Sequence, residues 1–435
     1  MSAQTNRRKP CNNPRMSGDA ALPLGVYISV PFCRSKCTYC NFASGVYAAA
    51  DHARYVERVI ADLAGARAWA ADMSVELPRR VDTVYLGGGT PSLLEPELLG
   101  RLFGALHAKF DLDTDAEITV ECAPGQLADE TLKALMSAGV NRVSLGVQSF
   151  VASEAHRSGR LHDLAIVTSD FERLRAADIT NLNVDLIAGL PGQEMASWDE
   201  SLDALVESGV PHASVYMLEV DEDSRLGREV LSGGARYHAG LVPAEDAIAQ
   251  MYERAIERLE EAGLRQYEIS NFSRPGFESR HNLRYWRRRP YLGVGLDASS
   301  MLSCDRGVPS FSRETRKGWG TEDSTLRATT TDDLRQYLAG TGARETVWLD
   351  RARQFEEAWF LGLRMNAGVS VAALEREFGL AMVAPAVRIV ERLADHGLLA
   401  FDGERARLTM RGRLIANDVF QEFLELETAA ARTEA

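Results

Sequence analysis

The sequence predicts an α/β protein, a partial (β/α)6 barrel followed by a smaller winged-helix-like α+β module. Three observations predict it. Six strand-like runs alternate with amphipathic helical stretches between about Gly25 and Val220. Each run leads directly into unusual polar, glycine or cysteine residues. Near the C-terminus, helical stretches give way to two β-like runs joined by Asp402-Gly403, a strong hairpin signal.

The strand candidates are Gly25–Val30, Val81–Leu86, Glu117–Cys122, Arg142–Val147, Asn183–Ile187 and Ala213–Leu218. Between them, Asp51 can cap a helix that presents Tyr55, Val56, Val59, Ile60 and Leu63 on one face. Pro96 starts another with Leu98, Leu99, Leu102, Phe103 and Leu106. Six such alternations imply parallel strands with right-handed crossovers, which suits either an open doubly wound sheet or an incomplete barrel. A barrel collects its site from the C-terminal ends of all its strands, whereas an open sheet concentrates it at one switch point. Here the first five strand ends each carry a candidate, so the barrel is expected.

From Asp221 to about Gly320 the pattern loosens, with one clear helix (Ala244–Ala262) and a further strand expected over Gln266–Ser273. The last module shows helices at Gln354–Met365, Val371–Phe378 and Val387–His396, then runs at Leu398–Phe401 and Arg405–Thr409. The expected division is 1–23, a disordered leader; 24–220, the barrel; 221–325, its extension; and 326–435, the winged-helix-like module.

Composition narrows the function. The chain has 435 residues, 45% of them apolar, and a formal charge of −13 from 49 basic and 62 acidic residues. An acidic chain argues against nucleic acid as the main partner. No apolar run reaches the roughly 20 residues of a membrane span, and the leader has no apolar core behind Arg7, Arg8 and Lys9. A cytoplasmic protein is expected, with Met16 an alternative start. Six cysteines without a secretion signal argue against disulfides.

Three of the six, Cys33, Cys37 and Cys40, fall within eight residues straight after the first strand. Three thiolates can hold three irons of a cubane and leave the fourth open to another ligand. A zinc knuckle is the alternative, but zinc would want a fourth Cys or His at knuckle spacing, and the next cysteine is Cys122. Gly87-Gly88-Gly89-Thr90-Pro91 follows strand two, and such glycines allow close backbone approach. Glu121, Gln148, Arg160 and Asp185 add polar groups at the strand ends. Singly, each reads as rim solvation. Cys11, Cys122 and Cys304 read as ordinary thiols.

The C-x3-C-x2-C triplet resembles the signature of the radical S-adenosylmethionine (SAM) superfamily. The resemblance implies a 4Fe–4S cluster on Cys33, Cys37 and Cys40, with SAM chelating the open iron and cleaving to a 5′-deoxyadenosyl radical. It also implies SAM contacts from Gly88, Gly89, Thr90, Glu121, Gln148, Arg160 and Asp185. Tyr39 can stack on adenine or simply pack the loop. Val26–Cys33, Gly87–Pro91, Gly146–Phe150 and Asp185–Pro191 together resemble the family that joins the oxygen-independent coproporphyrinogen III oxidase HemN with the haem chaperone HemW, over about Leu24 to Leu424.

Two features separate the branches. The oxidases carry a further cysteine two places after the triplet, where this chain has Phe42. His281-Asn282-Leu283-Arg284-Tyr285-Trp286 matches the H-N-x-x-Y-W motif of the chaperones, which implies haem contact by His281 and Tyr285. A hydrogen-bonded core histidine is the plainer alternative. Tyr27 corresponds to a cofactor-pocket tyrosine of the oxidases and is the one catalytic candidate. Ser29 and Ser299 stand where the family often has His, and Ala123 replaces the Asn of an E-x-N-P motif. The resemblance therefore implies haem, SAM and a cluster as cofactors. Its implied partners are apo-haem acceptor proteins, membrane-bound respiratory enzymes among them, and a homodimer is left open. Radical decarboxylation of coproporphyrinogen III is the alternative function.

Overall fold

The computed structural model describes residues 22–304 and 324–424. The expected leader, except Leu22 and Pro23, lies outside the described residues, as do Cys11 and Met16.

Six parallel strands run in sequential order: β1 (Leu24–Val30), β2 (Arg80–Gly88), β3 (Asp111–Cys122), β4 (Arg142–Gln148), β5 (Asn181–Ala188) and β6 (His212–Met217). Sequential order is the mark of a barrel, because a doubly wound sheet reverses at its switch point. Two antiparallel strands extend the sheet beyond β6, β7 (Arg265–Glu268) and β8 (Asn271–Ser273). The single strand expected over Gln266–Ser273 is thus a tight hairpin. The Glu268 carboxylate accepts the Ser270 N–H at 2.9 Å, and Ile269 turns out to bury in the C-terminal module.

Beyond β1 the sheet gains β9 (Tyr291–Val294), parallel to β1, then the antiparallel β10 (Ser299–Ser303), β11 (Thr325–Thr329) and β12 (Glu345–Leu349). The two ends of this twelve-stranded sheet do not pair, so the barrel stays open. The sheet runs past position 326.

Side chains alternate along each strand. On β4, Val143, Leu145 and Val147 face outward into the core against the helices, while Arg142, Ser144, Gly146 and Gln148 face a cavity inside the barrel. The outer core joins Val26, Ile28, Val84, Leu86 and Val120 to Val56, Val59 and Leu63 of helix Ala49–Asp72 and to Leu99, Leu102 and Leu106 of helix Pro96–Lys109. The apolar residues thus lie outside the strands, which leaves the interior free for polar groups.

A second core lies in residues 355–423, around Phe355, Trp359, Val383, Val390 and Phe423. Here β13 (Val369–Ser370), β14 (Leu399–Phe401) and β15 (Arg405–Leu408) form the wing beside helices Arg351–Arg364, Val371–Phe378 and Leu380–Asp395. The last helix starts earlier than Val387 and takes in Pro385, because Val383 and Ala386 bury in this core. Among the described residues no helix is long and apolar enough to cross a membrane.

Candidate cofactor site

The cysteine loop follows β1 and is stitched to distant parts of the chain. Cys33 N–H donates to Gly45 O at 2.9 Å and Gly45 N–H to Pro31 O at 2.8 Å. Thr38 N–H donates to Ser158 O at 3.1 Å, and the Ser35 hydroxyl to Gly159 O at 3.0 Å. Behind the loop, Leu226 N–H reaches Thr38 O at 2.8 Å, and Arg225 holds Lys36 O. Cys37 is buried, Cys33 and Cys40 are half-buried, and all three face one cavity of about 1090 Å³. Among the described residues no three His, Cys, Asp or Glu side chains converge as ligands of a single ion would. Three thiolates that face one cavity from a single short loop are a donor set that fits a cubane, whose irons take one thiolate each.

The glycine turn buttresses this loop. Gly89 N–H donates to Val30 O at 2.8 Å and Thr90 N–H to Phe32 O at 2.7 Å. Gly88 sits at φ +99°, a conformation that glycine adopts without a steric penalty. Its N–H donates to Glu121 Oε2 at 3.0 Å, and the Tyr85 hydroxyl donates to Oε1 at 2.9 Å. Burial first, then the charge of Asp185, pushes the Glu121 carboxyl up to about 7. Burial also raises Asp185, against hydrogen bonds from Asn183 to Oδ1 at 2.8 Å and from Ser144 to Oδ2 at 3.2 Å.

Gln148 takes φ +69° at the end of β4, rare for a residue with a side chain, and its buried Oε1 has no partner. The Arg160 guanidinium donates to the Tyr39 hydroxyl from Nε at 3.3 Å and Nη2 at 3.1 Å, and joins no ion pair among the described residues. It can therefore receive a ligand carboxylate in fork geometry. Cys33, Cys37, Tyr39, Cys40, Gly88, Gly89, Thr90, Glu121, Gln148, Arg160 and Asp185 all line the one cavity. An orphaned acceptor, an unpaired guanidinium and two buried carboxyls suit a ligand with amino, carboxylate and hydroxyl groups, as SAM has.

Tyr27, His281 and Tyr285 are not in that lining. Tyr27 is half-buried, its ring 6.1 Å from Tyr85 and 6.4 Å from His281, with its hydroxyl near the Gly88 turn. His281 is fully buried. Its Nδ1 shares a hydrogen bond with Thr83 Oγ1 at 3.0 Å, and its Nε2 one with the Tyr285 hydroxyl at 2.8 Å. Burial, then Arg284 and Arg142, lowers it to about 3, so the ring is neutral. Neither His281 nor Tyr285 offers an open polar atom to the cavity, and the imidazole does not fit a haem iron as it stands. Helix Arg280–Trp286 instead closes the barrel floor. The Glu117 carboxylate accepts the Arg280 and His281 N–H groups, both at 3.0 Å, and Arg284 pairs with Asp82.

Sequence reasoning did not single out four other residues in the cavity, Tyr85, Arg142, Ser144 and Asn183. The signal was present in Arg142-Val143-Ser144-Leu145-Gly146-Val147-Gln148, which alternates polar and apolar along a whole strand.

Residues 27–205 match the family model of the radical SAM superfamily, and residues 349–415 that of the HemN C-terminal domain. The chain is 34% identical to the haem chaperone HemW of Lactococcus lactis, over 92% of this chain and 97% of that one. It belongs to the HemW family of radical SAM proteins. A HemW of Mycobacterium tuberculosis is 33% identical over 96% of this chain and 99% of its own. The mitochondrial radical SAM domain-containing protein 1 of Bos taurus is 30% identical over 96% and 92%. The HemW-family fold extends to the coproporphyrinogen III oxidase HemN of Escherichia coli. That structure superposes with a TM-score of 0.75 over 93% of this chain and 90% of that one, at 22% identity.

Proposed function

We propose that this chain is a haem chaperone that carries a 4Fe–4S cluster and SAM and delivers haem to apo-haem proteins. The full-length likeness to HemW carries the reading. Phe42, where the oxidases have a further cysteine, supports it against coproporphyrinogen oxidation.

In this reading the Cys33, Cys37 and Cys40 thiolates hold three irons. When bound, cluster and SAM together supply one-electron reductive chemistry. The protein's part is to orient and to exclude water. Glu121 and the Gly88–Thr90 edge would hold the methionyl amino group, Arg160 the carboxylate and Asp185 the ribose hydroxyls. Gln148 offers its unpaired oxygen, and Arg160 pins Tyr39 where its ring can lie against adenine. Acceptors among membrane-bound respiratory enzymes, a cytoplasmic setting and a homodimer belong to the same proposal.

The test is anaerobic reconstitution followed by three measurements. Iron and sulfide should reach four each per chain, as a cubane requires. Haem should bind stoichiometrically. Coproporphyrinogen III should stay unchanged with SAM and reductant, and its conversion to protoporphyrinogen would overturn the chaperone reading in favour of the oxidase.

A further inference from the structure

We propose that Arg142 is the carboxylate receptor of the inner cavity, where it engages a propionate of bound haem. The proposal rests on the chaperone reading and assigns it a contact that the cysteine rim cannot supply.

Arg142 is the first residue of β4, whereas Gln148 ends that strand at the SAM rim. The two lie about 20 Å apart along the strand, at roughly 3.3 Å per residue. Both line the same cavity, so the space runs from the rim down towards the barrel floor. Its volume of about 1090 Å³ exceeds the roughly 300–1,000 Å³ of a single small-molecule site.

Arg142 is only 1% exposed, yet its Nε has no hydrogen-bond partner. Among the described residues it joins no ion pair. Its neighbours do not compensate it. Asp185 senses its charge, but the hydrogen bonds to that carboxylate come from Asn183 and Ser144. His212 and His281 also sense it and are held neutral, chiefly by burial. Tyr85 and Tyr267 keep their phenol protons, again chiefly through burial. Thr119, its register partner on β3, carries a second orphaned buried oxygen.

Arg284, the other large buried arginine, pairs with Asp82 and donates to Thr83 Oγ1 at 3.2 Å, Pro23 O at 2.7 Å and Pro290 O at 3.0 Å. A buried cation without a partner is costly, and its retention beside a cavity points to an anion that arrives with the ligand. Haem carries two carboxylates on a flat apolar body, which suits this arrangement.

The test uses the full chain reconstituted without oxygen, with R142M and R142K as variants and haem and haem dimethyl ester as probes. Wild type should bind haem more tightly than the ester. R142M should bind haem about ten- to a hundredfold more weakly, with ester affinity unchanged, and R142K should fall between. Without ligand, R142M should unfold at a higher temperature than wild type, because an uncompensated buried charge has been removed. Equal haem affinity in R142M and wild type would overturn the proposal, and so would an equal loss for the ester. A lower unfolding temperature would make Arg142 structural. A parallel loss of SAM binding would mean that it holds the SAM carboxylate instead. Wild type that takes up no haem would fail the chaperone reading itself, in an arm that involves no variant.

Discussion

Replacing Gly89 with alanine should cost both stability and iron. A Cβ at this position would stand 2.7 Å from Val30 O, 2.8 Å from Phe32 O and 2.9 Å from Pro31 C. All three atoms are backbone at the exit of β1, so no side chain can rotate away. Forcing a methyl group into such a gap costs about 1–3 kcal/mol. The push also stretches the Gly89 N–H bond to Val30 O and the Thr90 N–H bond to Phe32 O, each worth about 1 kcal/mol. Allowing for partial relaxation, about 2–4 kcal/mol should be lost, or roughly 4–8 °C in melting temperature at about 2 °C per kcal/mol. Because Cys33 follows Phe32 directly, the displacement reaches a cluster ligand, and iron per chain should drop under identical reconstitution. Gly100→Ala is the control. It lies exposed in helix Pro96–Lys109, its added carbon meets nothing within 4 Å, and it should gain about 0.5–1 kcal/mol. Gly89→Ala protein with wild-type melting and full iron would refute the reasoning.

His281→Ala should lower stability by about 2–4 kcal/mol in urea unfolding, since it empties a buried site and leaves the Tyr285 hydroxyl without its partner, while haem affinity of the folded fraction stays unchanged. A selective loss of haem would instead assign the ring a ligand role. Glu121 should make the ligand-free protein less stable as pH rises. Its folded carboxyl holds a proton up to about 7 against 4.5 when unfolded, so the folded state binds more protons in that window and loses at most about 3 kcal/mol across it. Glu121→Gln should abolish that slope, and parallel melting curves from pH 4.5 to 7 would contradict it. Cys122→Ala should keep its full iron count, because this buried thiol, raised to about 12 chiefly by burial, packs in the outer core although the residue also borders the cavity. Lost iron in that variant would make Cys122 a ligand.

The six parallel strands were legible because each carries apolar residues at strand spacing, and the first five lead into chemically rare residues. β9 was not, because Tyr291–Val294 is too short to show a period and sits beside an arginine-rich stretch; pairing with β1 and β10 makes it a strand. The rim was legible for a similar reason, since cysteines, consecutive glycines and isolated polar residues after apolar strands stand out in one dimension. Arg142 did not stand out, because an arginine that opens a strand is ordinary until its burial and missing partner are known. His281 carries the converse lesson. A histidine followed by Tyr285 and Trp286 looks like a porphyrin contact in the chain, and only the fold reveals Thr83 and Tyr285 on its two nitrogens.

The stitches on the cysteine loop bear on when iron can be taken up. Its anchors at Ser158, Gly159, Arg225 and Leu226 leave the ribosome long after Cys40 does. A nascent chain that has exposed only its first two β/α units has the stitches at Gly45, Gly89 and Thr90 but none of those that hold Ser35, Lys36 and Thr38. The loop gains its last stitch only when Leu226 has emerged, about half-way along the chain, so a fully braced receptacle forms after the sixth strand and before the C-terminal module.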